Sequence, residues 1–187
     1  MGWILIVLLG LAVLLILWAI GVYNKLVKLK NLAEEAWSGI DVQLKRRADL
    51  IPNLVKTVKG YMDHERELLS KITELRAKTM GASNFDERVK AEAALSKALM
   101  NFFAVAENYP DLKANQNFLD LQQKLTEIED QIQMARRYYN GTVRNLNIAI
   151  ETFPNSIIAS KFGFKKREFF EIEDEKDREL PQVEFNN

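Results

Sequence analysis

His64, in the stretch "MDHERE", is the only imidazole in the chain, and so the one candidate for a neutral-pH general base or a nitrogen ligand to zinc. A helical zinc site needs a second histidine at ligand spacing, and the "HE" here lacks the later His of HExxH. His64 therefore reads as a surface helix position. Glu127, Glu129 and Asp130 raise the question of a carboxylate-held metal. A carboxylate-bridged site in a bundle needs Glu-x-x-His pairs projecting into the core, and the sequence has none. The absence of cysteine removes disulfides, thiolate metal sites and a cysteine nucleophile. No glycine-rich phosphate loop is present, and a Ser-His-Asp set would have to rest on His64 alone. We expect no catalytic, cofactor-binding or metal-ligating residue, no small-molecule substrate and no enzymatic activity.

Charge offers other candidates. Lysine plus arginine and aspartate plus glutamate both total 26, so no bulk charge points to nucleic acid. Lys45, Arg46 and Arg47 interrupt the amphipathic stretch "AWSGIDVQLKRRADLIPNLV". On a straight helix they stand roughly 30 Å beyond the apolar N-terminal run. That exceeds a Debye length of about 8 Å, so attraction to lipid headgroups is weak. A solvated face with Asp41–Lys45 and Arg46–Asp49 pairs is expected. Arg47 is the exception, because it adjoins the apolar stripe and is expected to pair inside the bundle. Asn24, Asn53, Asn140 and Asn145 also lie near apolar stripes, where buried amides fix register or pair with backbone. Residues 156–170, "SIIASKFGFKKREFF", mix aromatics with lysine and arginine. They read either as a membrane-surface element or as aromatics folded back onto the bundle.

These residues need elements to hold them. From Gly2 to Tyr23 there is no charge, and at 1.5 Å per residue the run makes roughly 33 Å of helix, enough for a hydrocarbon core of about 30 Å. Trp3, Trp18 and Tyr23 sit near its ends, where amphipathic rings favour the interface. A cleaved signal peptide would need a basic start and a small-residue cleavage site, and neither is present. Residues 1–23 are expected to be an uncleaved transmembrane anchor. Lys25, Lys28 and Lys30 at its exit place the C-terminal bulk in the cytoplasm, with the N-terminus outside.

Beyond the anchor every long periodic segment has the helical period, so the fold class is all-α. One stripe runs from Leu26 to about Met80 and keeps its phase through Pro52, predicting a helix over 24–80 kinked at the proline. Asn84 with Glu87 three residues on is a capping-box pattern opening a helix over 85–108, closed by Tyr109-Pro110. The steps of three and four from Phe118 to Phe153 have coiled-coil periodicity over about five heptads, predicting a helix over 112–153. A short helix over 156–168 completes a domain of residues 24–170, and an acidic tail covers 171–187. The architecture expected is a transmembrane helix followed by an up-and-down bundle of three to four long, coiled-coil-like helices. The third helix is longer than one antiparallel partner can cover. Its surplus must meet the first helix, the C-terminal segment or another copy of the chain.

The stretches "YNKLVKLKNLAEEAWSGIDVQLKRRADLIPNLVKTVKGY", "AVAENYPDLKANQNF", "ARRYYNGTVRNLNIAIETFP" and "FGFKKREFF", in that order behind a short anchor, resemble the bacterial LemA family along nearly the whole chain. The resemblance implies a helical bundle on a single membrane anchor in the bacterial inner membrane. It also implies association with the cell envelope, with relatives among proteins needed to form magnetosome membranes. It brings no catalytic residues. The function expected is a membrane-anchored scaffold that contacts the bilayer, self-associates through its long helices and organises or remodels the membrane. The alternative is an adaptor subunit for an envelope protease or another membrane protein.

Overall fold

The computed structural model describes residues 1–62 and 64–171, and all of their regular structure is helical. The elements are α1 (Gly2–Val58), α2 (Arg66–Gly81), α3 (Phe85–Ala106), α4 (Pro110–Lys113), α5 (Gln116–Glu151) and α6 (Asn155–Lys161). The acidic tail expected at 171–187 lies outside the described residues except for Glu171.

α1 continues without a break from the apolar run into the amphipathic stretch, and Pro52 lies inside it. A proline has no N–H to give the carbonyl four residues back, here that of Ala48. The Arg76 side chain replaces the missing donor, with Nε 2.7 Å from the Ala48 carbonyl oxygen. α2 thus supplies a donor where the proline withholds one.

The single helix expected over 24–80 is instead two, α1 and α2, separated by residues 59–65. The Val58 carbonyl accepts from the Tyr61 and Met62 amides at 2.9 and 3.1 Å, and Met62 accepts from Glu65 at 3.3 Å. α2 then runs back along α1, as the Arg76–Ala48 contact requires. Met62 is buried within the turn, so the apolar stripe stays in phase where the helix has ended.

The expected helix over 85–108 is α3, ending at Ala106. Asn84 caps it by accepting from the Glu87 amide at 2.9 Å. Glu87 reaches back one residue further than a capping box requires. Its Oε2 accepts from the Ser83 amide at 3.0 Å and the Ser83 hydroxyl at 2.8 Å. The Ser83 backbone bond, its largest influence, helps hold the Glu87 carboxyl below its ordinary range. The expected helix over 112–153 is α4 plus α5, and Asn115 begins the longer one by accepting from the Phe118 amide at 3.1 Å.

α6 stops at Lys161 rather than 168. Gly163 adopts φ +71°, the left-handed conformation natural to glycine. The Phe164 amide then reaches the Ala159 carbonyl at 2.9 Å and the Gly163 amide reaches Ser160 at 3.3 Å, the paired bonds of a Schellman cap. Residues 162–171 follow as a non-helical strap.

The chain divides into two compact units. One comprises Met1–Arg46 and Glu127–Phe169; the other comprises Arg47–Thr126 and the residues from Phe170 on. In the second, Ile51, Leu54 and Val58 of α1 join Leu69 and Ile72 of α2, Leu95 and Phe102 of α3, and Phe118 of α5 in one apolar core. In the first, Val22 and Leu26 of α1 pack with Ala149 of α5 and with Ile158 and Ala159 of α6.

Candidate functional site

Of the three adjacent cations, only Arg47 is buried. Its guanidinium donates to Glu92 Oε2 and Ser96 Oγ, each at 2.5 Å, and to the Glu92 carbonyl at 3.4 Å. Arg88 Nε approaches the other Glu92 oxygen at 3.0 Å, so the buried carboxylate is shared by two arginines. A desolvated pair of this kind is retained only where such hydrogen bonds satisfy both charges. Lys45 is exposed, and Arg46 donates to Gln43 at 3.3 Å rather than pairing with Asp49. The cluster is scaffold with one internal tie, and nothing about it is set up for acid–base chemistry.

The second candidate lies in the other unit, where the strap crosses α1 and α5. Asn147 clamps it in both directions, donating to the Arg167 carbonyl and accepting from the Arg167 amide, each at 2.9 Å. The Tyr139 hydroxyl donates to the Glu168 carbonyl at 3.0 Å. Burial raises the Tyr139 phenol above its ordinary value, so it stays a donor across the physiological range. Arg167 reaches Glu34 at 2.6 Å and Lys166 reaches Glu151 at 2.6 Å. Tyr23 meets Phe162 and Phe164 edge-on, with ring centroids 4.9 and 5.7 Å apart. Between the strap and α1 an open cleft of about 520 Å³ is lined by Tyr23, Lys30, Phe162, Phe164, Lys165 and Arg167, among others.

The other residues singled out in the sequence gather into no site. His64 is exposed in the turn between α1 and α2. Glu127 and Asp130 are exposed and Glu129 half-buried, and no group of acids or histidine suited to a metal occurs among the described residues. Asn24, Asn53 and Asn145 are exposed, contrary to the buried role expected of them, and Asn140 is half-buried. The amide that organises this unit is Asn147, which sequence reasoning passed over. Its partner is a backbone twenty residues on in an irregular segment, and no spacing rule encodes that. Of the two readings of residues 156–170, folding back onto the bundle describes part of the segment. Ile158, Phe164 and Phe170 face inward, while Ile157 and Phe162 remain exposed.

The apolar start of α1 is uncovered, its most apolar window wholly unburied by the rest of the chain. Among the described residues it is the one helix long and apolar enough to cross a membrane. The LemA family model matches residues 36–185. Protein LemA of Metamycoplasma hominis is 32% identical over 148 residues, covering 76% of this chain and 65% of that protein. Magnetosome protein MamQ 2 of Paramagnetospirillum magneticum is 25% identical over 175 residues, covering 80% of this chain and 64% of that protein. Magnetosome protein MamQ of Magnetospirillum gryphiswaldense is 24% identical over 174 residues, covering 79% and 64%. The chain thus spans a little under two thirds of the length of these relatives. With a profile match across most of the helical region and the N-terminal apolar helix joined to it, the chain belongs to the LemA family.

Proposed function

We propose that this chain is a non-enzymatic, single-pass scaffold of the bacterial inner membrane that associates with copies of itself and organises the bilayer around it. Residues 1–23 are its anchor, 24–170 its helical domain on the cytoplasmic side, and 171–187 an acidic tail. The observation that carries the reading is an uncovered row on α5. Met134 and Tyr138 are each 56% exposed and Ile148 is 55% exposed. At about 100° per residue the three fall within an arc of about 80° on one helix face. The three side chains are apolar and solvent-facing, interrupted by exposed Asn145, and they belong to a chain with a membrane segment, which confines copies to one plane and raises their effective concentration. The magnetosome naming of the MamQ relatives supports a membrane-organising role.

Light scattering of the detergent-solubilised full chain at micromolar concentration is expected to give a mass above one protomer, reduced by Met134→Lys with Tyr138→Lys. A monomer at that concentration overturns the reading. A monomer that captures one stoichiometric integral-membrane partner makes the chain an adaptor instead. Protease shaving of intact cells is expected to spare the helical domain, and its rapid loss would reverse the orientation.

A further inference from the structure

The α5–α6 connection sits against the membrane segment itself. Ile158 and Ala159 of α6 and Ala149 of α5 pack on Val22 and Leu26, and Ala19 joins the same cluster. Ala19 lies four residues inside the apolar run from Tyr23, which places this contact roughly 6 Å inward of the run's end. Elements lying in a bilayer interface bury about 5–10 Å of their apolar face, so the depth matches. At this level the chain shows apolar side chains to its surroundings: Phe153 is 76% exposed, Ile157 55% and Phe162 56%. In water such a cluster is costly. Next to a membrane-spanning helix it faces lipid.

The charges beside it have the matching sign. Arg167 and Lys166 are already engaged by Glu34 and Glu151. Lys161 of α6, Lys165 of the strap, and Lys25 and Lys28 of α1 are exposed and carry no ion pair among the described residues. Basic residues close to the bilayer surface each contribute about 1 kcal/mol of attraction to anionic lipid, close to fivefold in affinity. Of these, Lys165 lines the cleft between strap and α1, together with Lys30, which lies 4.0 Å from Glu34, and the aromatic rings of Tyr23, Phe162 and Phe164.

We propose that the α5–α6 turn and the strap form an interfacial collar around the anchor's exit. Phe153, Ile157 and Phe162 enter the acyl boundary, and the cleft beside Lys30 and Lys165 takes the phosphate of an anionic phospholipid headgroup. The proposal rests on the reading that residues 1–23 span the bilayer. It gives the scaffold a second grip on the membrane and a preference among lipids that the anchor lacks.

Because the chain has no cysteine, single cysteines can report position. An environment-sensitive fluorophore is placed by Leu14→Cys, Phe153→Cys, Ile157→Cys or Lys124→Cys on the full chain. The chain is reconstituted in phosphatidylcholine vesicles containing phosphatidylglycerol, and quenching by doxyl-labelled lipid is compared with quenching by aqueous iodide. The collar requires lipid quenching at Leu14, Phe153 and Ile157 and iodide quenching at Lys124. Lipid quenching at Leu14 with iodide quenching at Phe153 and Ile157 overturns the collar and leaves the anchor standing. Iodide quenching at Leu14 overturns both. Protection of Phe153 and Ile157 from both quenchers assigns the surface to a protein contact and overturns the proposal.

The headgroup site is read from the Phe162→Cys probe with doxyl groups on phosphatidylglycerol or on phosphatidylcholine at equal fraction. Stronger quenching by labelled phosphatidylglycerol is expected, and Lys30→Gln with Lys165→Gln should remove up to about fivefold of the preference per lysine. Equal quenching by both lipids overturns the headgroup site. So does a preference abolished by inorganic phosphate, which would make free phosphate the ligand.

Discussion

The unit around Arg47–Thr126 interlocks Phe102, Phe103 and Phe118, with ring centroids 5.3 to 6.4 Å apart, and buries an arginine–glutamate pair among its helices. The unit of Met1–Arg46 and Glu127–Phe169 buries alanines at Ala33, Ala36, Ala149 and Ala159, and binds its strap through Asn147 and Tyr139. One interior sets large rings beside a buried arginine–glutamate pair. The other adds hydrogen bonds to an irregular segment to its aliphatic interior of Leu26, Ile40, Leu44 and Leu146, and it leaves Met134, Ile148, Ile157 and Phe162 exposed. The first arrangement sets stability. The second leaves apolar surface exposed.

The widest separation between the units is expected from Arg47. Arg47→Met strands the buried Glu92 carboxylate with only Arg88, at a cost of about 3–5 kcal/mol. Adding Glu92→Leu should recover most of the loss, since an apolar replacement removes both charges. Denaturant unfolding in detergent measures the cost, and hydrogen exchange locates it. Protection should fall for amides between residues 47 and 126. An equal fall at Tyr139 and Asn147 would erase the distinction.

A smaller effect sharpens it. Arg76→Met leaves the Ala48 carbonyl without a donor and should cost about 1–3 kcal/mol. Pro52→Ala restores a backbone N–H, so in that background the same Arg76 change should cost less. Additive losses in the double-mutant cycle would show that the contact does not compensate the proline.

The smallest effect probes the other unit through pH. The Tyr139 phenol has its pKa raised from 10.0, chiefly by burial, with Arg167 opposing and Glu168 reinforcing. The unfolded chain therefore ionises first as pH rises. The contribution of the neutral phenol is complete below the unfolded value of 10.0 and is lost as pH climbs through the higher folded value. Tyr139→Phe should flatten the alkaline limb of the unfolding curve, and an unchanged limb would mean the phenol is not held neutral.

Much of this was legible in the chain. The all-α class followed from periodicity, the long apolar start of α1 from an uncharged run, the start of α3 from Asn84 and Glu87, and the inward role of Arg47 from its place beside the stripe. The break at residues 59–65 was not, because Met62 is buried in the turn and keeps the stripe in phase. Gly163 did carry a readable signal, a glycine closing a helix between two aromatic residues. The partners of Arg47, Arg76 and Asn147 were hidden for one reason. Each lies twenty to forty-nine residues away, where only the folded chain decides who meets whom.

The guanidinium on the Ala48 carbonyl has a mechanical consequence. A helix with an unreplaced gap in its ladder is soft at that point, and one whose gap is filled resists flexure. The rigidity of α1 near its proline is therefore lent by α2 and held only while α2 stays docked. Whatever peels α2 away also turns a strut into a joint, so the long helix carries its own fuse.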